Sequence, residues 1–68
     1  MDEYCVKYVR LFTYGIVEEK IEDSLLLEDV EDDAVNSRKN CVYVRVEARN
    51  VLVCSDGEEF IVAYRIKC

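Results

Sequence analysis

The 68-residue sequence contains no histidine, no proline and no tryptophan, and only two glycines. Each absence excludes something. Without histidine, no side chain has an ordinary pKa suited to proton transfer near neutral pH. Two isolated glycines, Gly15 and Gly57, cannot build a glycine-rich phosphate loop. With no proline and so few glycines there is no flexible linker, and residues 1–68 read as a single small domain. No apolar run approaches the roughly 18 residues of a membrane span. The N-terminal Met-Asp-Glu-Tyr lacks the basic patch and apolar block of a secretory signal. The expectation is a cytoplasmic protein without membrane contact.

Half of the residues are apolar, too many for a disordered chain even at a net charge of −6. A chain this short can bury only a thin core, which favours a homo-oligomer or an obligate partner. Its four cysteines, Cys5, Cys41, Cys54 and Cys68, lie 36, 13 and 14 positions apart. Without a C-x-x-C pair or a histidine, nothing matches the close ligand pairs of a structural zinc site. With no sign of secretion, the expectation is four reduced thiols, the inner ones packed as small hydrophobes.

The acidity is concentrated. Between Glu18 and Asp33 stand nine acids and one base, Lys20, a net −8, whereas the remainder holds eight bases and six acids, a net +2. Helical phase argues against one helix through this stretch. At about 100° per residue from Val17, the apolar positions Val17, Ile21 and Leu25 fall within 80°, while Leu26, Leu27, Val30 and Ala34 fall between about 180° and 280°. The break belongs near Asp23-Ser24, either of which can cap a helix running from about Leu25 to Ser37. That helix is expected to bury Leu26, Leu27, Val30 and Ala34. Arg38 and Lys39 would then complement the dipole at its C-terminal end.

Strand patterns flank the helix. β-branched and aromatic residues dominate positions 4–13, and the alternation blurs at Leu11-Phe12, as in a strand apolar on both faces or one with a bulge. Tyr14-Gly15 signals a turn into a second strand, Ile16 to about Glu22. In residues 41–48, Val42, Val44, Val46 and Ala48 alternate with Tyr43, Arg45 and Glu47. The valines are expected to face the core and the polar set to face water. Arg49-Asn50 is the expected turn, Val51 to Cys54 a short strand, and Ser55-Asp56-Gly57-Glu58 a hairpin turn. In residues 59–67, Phe60, Val62, Tyr64 and Ile66 are expected inward, with Arg65 and Lys67 outward. If this last strand lay at a sheet edge, it would offer a pairing surface for another copy. The fold class is α+β: an antiparallel sheet with one packed acidic helix, in the order ββαβββ.

For chemistry the sequence is mostly negative. Beyond the capping candidate Ser24, the serine and threonine hydroxyls are Thr13, Ser37 and Ser55, with no lysine placed to activate them. Carboxylates on an exposed helix lack the burial that general acid catalysis needs. Asp29, Glu31 and Asp33 have the 1-3-5 spacing of a calcium loop, but Ala34 and Asn40 replace its glycine and glutamate. No enzyme, no metal and no cofactor are expected. Net acidity disfavours direct nucleic-acid binding.

Two candidate surfaces remain. Glu28, Asp29, Glu31, Asp32 and Asp33 form a carboxylate-rich helix face. Glu28 with Asp32, and Asp29 with Asp33, are like-charge i, i+4 pairs that slightly destabilise their own helix. The plainer use of this face is a solvated surface that keeps the chain soluble; the functional one is a small inhibitor that docks on a basic protein surface, such as that of a nucleic-acid-binding protein, as a nucleic-acid mimic, a format that suits viral or mobile-element origin. The alternative is a cationic and aromatic patch of Tyr43, Arg45, Arg49 and Arg65 on the sheet, holding an anionic nucleotide in an oligomer. Cross-strand pairing of Arg45 and Arg65 with Glu47, Glu58 or Glu59 is the plainer use of those arginines.

Overall fold

The computed structural model describes residues 4–68. Five strands and one helix follow in order: β1 (Tyr4–Phe12), β2 (Gly15–Glu22), α1 (Leu27–Asn36), β3 (Asn40–Val46), β4 (Arg49–Ser55) and β5 (Glu59–Lys67). All strands pair antiparallel in one sheet of order β2-β1-β5-β4-β3. This is the α+β architecture expected from the alternation and turn signals. β5 is the central strand rather than an edge, because it pairs with β1 on one side and β4 on the other. The edges are β2 and β3, and α1 is the crossover that joins them.

The bulge expected from the Leu11-Phe12 irregularity is present, and the extra residue lies on the partner strand. Arg10 faces Glu18 while Leu11 faces Ile16, which leaves Val17 unpaired. One turn lies elsewhere than expected. The β3–β4 connection is Glu47-Ala48, both at positive φ (52° and 65°), and not Arg49-Asn50. A two-residue hairpin needs this left-handed pair to match the strand twist. Arg49 and Asn50 instead begin β4, opposite Val46 and Arg45. The β4–β5 connection has three residues, 56–58. There Asp56 Oδ1 accepts the backbone N–H groups of Glu58 (2.9 Å) and Glu59 (2.8 Å), and Gly57 takes φ 96°.

α1 is a weak helix by composition. Its sequence LEDVEDDAVN carries three aspartates and two valines, and ten residues are too few to persist alone in water. Packing of Leu27, Val30 and Ala34 holds it. It begins after Leu26, whose extended backbone is the N-cap and whose carbonyl accepts from Asp29 and Val30. Neither Asp23 nor Ser24 caps it, and Leu26 is exposed instead of buried. The chain spends Leu25 and Leu26 on reaching the sheet, and Leu25 packs at the margin of the core. The C-terminus closes as a Schellman turn: Lys39 N–H donates to Ala34 O and Arg38 N–H to Val35 O, with Arg38 at φ 65°. No basic residue lies within the last helical turn.

The helix covers the sheet face opposite to the expected one. The core under α1 is Val6, Leu52, Cys54, Ile61 and Ala63 with Leu27, Val30 and Ala34. Register places Cys41, Tyr43 and Arg45, and likewise Arg65 and Lys67, on that same side. Val42, Val44 and Val46 face away from the helix and are 57, 43 and 51% exposed. Phe60, Val62, Tyr64 and Ile66 share that second face and are only half-buried. β5 is apolar on both sides at its centre, so its alternation did not choose a face. The small residues Ala63 and Cys54 let the helix approach closely.

The cysteines are bonded, Cys5 to Cys68 and Cys41 to Cys54, and none is free. This overturns the expectation of reduced thiols. Cys41 and Cys54 are direct partners in the β3–β4 register. Cys5 lies opposite Ile66, two residues before Cys68. Antiparallel pairing created both proximities, which spacing along the chain did not reveal.

Candidate functional site

Glu28, Asp29, Asp32 and Asp33 are exposed on α1 and Glu31 is half-buried. None of the five forms an ion pair with another described residue, whereas Glu18, Glu19, Glu22, Asp56 and Glu59 all do. The strands thus neutralise their own acids, whereas those of the helix have no ion-pair partner among the described residues. Asp29, Glu31 and Asp33 are helical, so successive members point about 200° apart and do not converge as loop ligands would.

The alternative site is partly assembled. A groove of about 810 Å³ runs where the helix N-terminus meets the ends of β1 and β5, lined by Tyr4, Glu28, Tyr43, Arg49, Arg65 and Lys67 among others. It gathers three of the four expected residues; Arg45 is not in its lining. Tyr43 shares this groove with Glu28 of the helix and with Arg65. Burial and then the nearby Glu31 and Glu28 carboxylates raise its phenol pKa, opposed by Arg65. The Arg49 guanidinium is turned elsewhere, 5.1 Å from the centre of the Tyr64 ring. Arg45 and Arg65 form no ion pair with the described acids, and Glu59 is engaged by other cations.

Those cations belong to a network that the sequence did not reveal. Lys39 is buried, and its Nζ lies 2.8 Å from Glu59 Oε1 and 3.7 Å from Asp56 Oδ2. Arg10 Nη1 reaches Glu59 Oε2 at 2.9 Å, and Arg10 Nε reaches Glu18 Oε1 at 3.3 Å. Pairing of β1 with β5 sets Phe12 opposite Glu59 and Arg10 opposite Ile61, so residues 10 and 59 meet only after folding. The hydrogen bonds from Lys39 and then Arg10 hold the Glu59 carboxyl below its usual range. The backbone N–H groups of Glu59 and Glu58 do the same for Asp56.

A depressed carboxyl stabilises the fold above its unfolded pKa, and that contribution is lost as pH falls through the lower, folded value. The thermal midpoint is therefore expected to be flat from neutrality to about pH 5 and to fall below the ordinary carboxylate range. Glu59→Gln is expected to lower the midpoint at pH 7 and to flatten this acid limb. The cost at pH 7 is about 2 kcal/mol, less than for a fully buried pair because Arg10 keeps contact with water. Melts of both proteins across the acid range check this, and parallel acid limbs would exclude Glu59 as the titrating group.

No family model matches the chain, and neither a curated protein nor a solved structure matches it. Among the described residues no helix is long and apolar enough to cross a membrane.

Proposed function

We propose that the protein is a small non-enzymatic binding protein that offers the exposed face of α1 to a basic protein surface, as a nucleic-acid mimic would. The observation that supports this reading is the division of carboxylates: those of the sheet are paired, and those of the helix have no ion-pair partner among the described residues. A helix of weak propensity that keeps like charges at i, i+4 is not built for its own stability. Origin in a virus or mobile element suits a short inhibitor of this kind. The expected cytoplasmic placement carries with it an expectation of reduced thiols. With both pairs bonded, the chain suits an oxidising compartment or the interior of a heat-adapted cell, where disulfides persist.

The test replaces Glu28, Asp29, Asp32 and Asp33 together by their amides and titrates a lysine- and arginine-rich peptide at low and moderate salt. Loss of four exposed charge contacts is expected to weaken binding about tenfold at low salt, and the difference shrinks as salt screens the native protein. Equal affinity for the two proteins would end this reading. The groove supports a second reading, an anionic small molecule held by Arg65 and Lys67 between Tyr4 and Tyr43. In the same experiment a nucleotide panel decides it: a thermal shift abolished by Arg65→Ala supports the groove, and no shift counts against it.

A further inference from the structure

The sheet has two apolar faces and one helix. On the face away from α1, Val42 and Val44 of β3, Val53 of β4, Val62 of β5 and Val9 of β1 form continuous cross-strand rows. Ile21 of the edge strand β2, 56% exposed, extends the surface. An antiparallel sheet with one wet face normally carries polar residues on it. Here the charged groups on that face are few: Lys7 and Glu19 neutralise each other at 3.0 Å, and Arg49 lies over Tyr64 at the rim. The shortest extent of the molecule, 20 Å, accommodates one sheet and one helix layer, so no other part of the described chain covers this side.

We infer that this face packs against the same face of a second copy, forming a two-sheet sandwich with the helices outside. Size is the first argument. Five strands about 4.8 Å apart, with about seven residues of ~3.4 Å each, give a flat area on the order of 600 Å². The whole face, charged rim included, reaches the roughly 600 Å² per partner at the low end of specific, stable interfaces, before corrugation adds area. Charge is the second argument. The face is apolar and locally neutral, so a charged partner gains nothing from it. An identical copy matches it, and a two-fold arrangement is self-complementary. The acidic helices then lie about 30 Å apart, with two sheets between them. That distance exceeds the Debye length of about 8 Å at physiological salt, so the net charge does not oppose association. Sheets pack this way at about 10 Å with their strands near −30°.

Sedimentation equilibrium on the whole oxidised chain tests the inference. The expected species is twice 8.0 kDa at micromolar concentrations. Val44→Lys is expected to weaken association at least tenfold without changing far-UV circular dichroism, because residue 44 is already 43% exposed in the single chain. Val62→Lys, at the centre of the face, is expected to abolish it; if that variant does not fold, Val44→Lys decides. Val35→Lys, on the exposed side of α1, is expected to leave the dimer intact. A wild-type chain that remains monomeric up to about 200 µM overturns the inference, placing a lipid surface or an unrelated protein on this face. A dimer that Val44→Lys leaves as tight as before, or that Val35→Lys dissolves, overturns it as well. Because none of these variants removes a helix carboxylate, the result is independent of the peptide titration.

Discussion

Reducing the Cys5–Cys68 bond is expected to destabilise the fold by about 4 kcal/mol, and reducing Cys41–Cys54 by about 3 kcal/mol. The difference comes from loop length. The first bond joins residues 63 apart and closes nearly the whole chain, whereas the second spans 13. In the unfolded chain each bond removes conformations, and the longer loop removes more. The first bond also fastens the start of β1 to the residue after β5, the central strand pair of the sheet. The second ties β3 to β4, and β3 has no buried residue of its own. A domain of this size has a total stability near the low end of about 5–15 kcal/mol. Full reduction is therefore expected to leave a chain that is largely unfolded at room temperature. Urea titrations with and without reductant, and of the Cys5→Ser/Cys68→Ser and Cys41→Ser/Cys54→Ser double variants, measure each share. For the longer loop the thermal midpoint is expected to fall by roughly 20 °C. A fully reduced chain whose midpoint is unchanged would mean that non-covalent packing alone holds the sheet.

The disulfides also show where reading the sequence stops. Element types were legible because they depend on near neighbours: alternation in β3, aromatic and β-branched residues in β1, and the Asp56-Gly57 signal between β4 and β5. The second face was not. Residues 60–64, FIVAY, are apolar at every position, so the pattern at the centre of β5 suits either side. The side that the helix covers brings small residues from distant elements, Ala34 of α1 with Ala63 and Cys54, into one buried cluster. The β3–β4 turn escaped because Glu47 and Ala48 occupy left-handed positions without glycine or asparagine, whereas Asn50 supplied a stronger local signal two residues later. The charge network escaped for a related reason. Arg10, Lys39 and Glu59 carry no common spacing and meet only through strand order. The acidic face was fully legible in composition, since it lies within a single helix. What composition did not show is that its carboxylates form no ion pair with the described residues, while those of the sheet strands do.

Leu52→Ala is expected to cost about 3 kcal/mol, the largest effect of any single side chain in the core. Leu52 is fully buried in β4, between Tyr43 of β3 and Ala63 of β5 in register, and beneath Leu27, Val30 and Ala34 of α1. Of the neighbours that would have to close the space, Ala34 and Ala63 have no side-chain rotamers and Cys54 is bonded, which leaves Leu27, Val30 and Tyr43 to move. The cavity therefore closes only in part, and the loss includes both the transfer of the methyl groups and the contacts around the remaining void. The oxidised variant is expected to remain folded with a lower urea midpoint, and the same variant in reductant to be unfolded. Leu26→Ala is the matched control. Helical phase alone places Leu26 in the core beside Leu27, whereas the structure leaves it 50% exposed as the N-cap residue. Its truncation is expected to cost no more than about 0.5 kcal/mol, in the range of ordinary surface substitutions. The two leucines thus separate the alternatives by roughly 2 kcal/mol, well above the error of a denaturant titration. If Leu26→Ala proved as damaging as Leu52→Ala, the helix would have to start earlier and present a different stripe to the sheet. The carboxylates that now face solvent would then rotate with it.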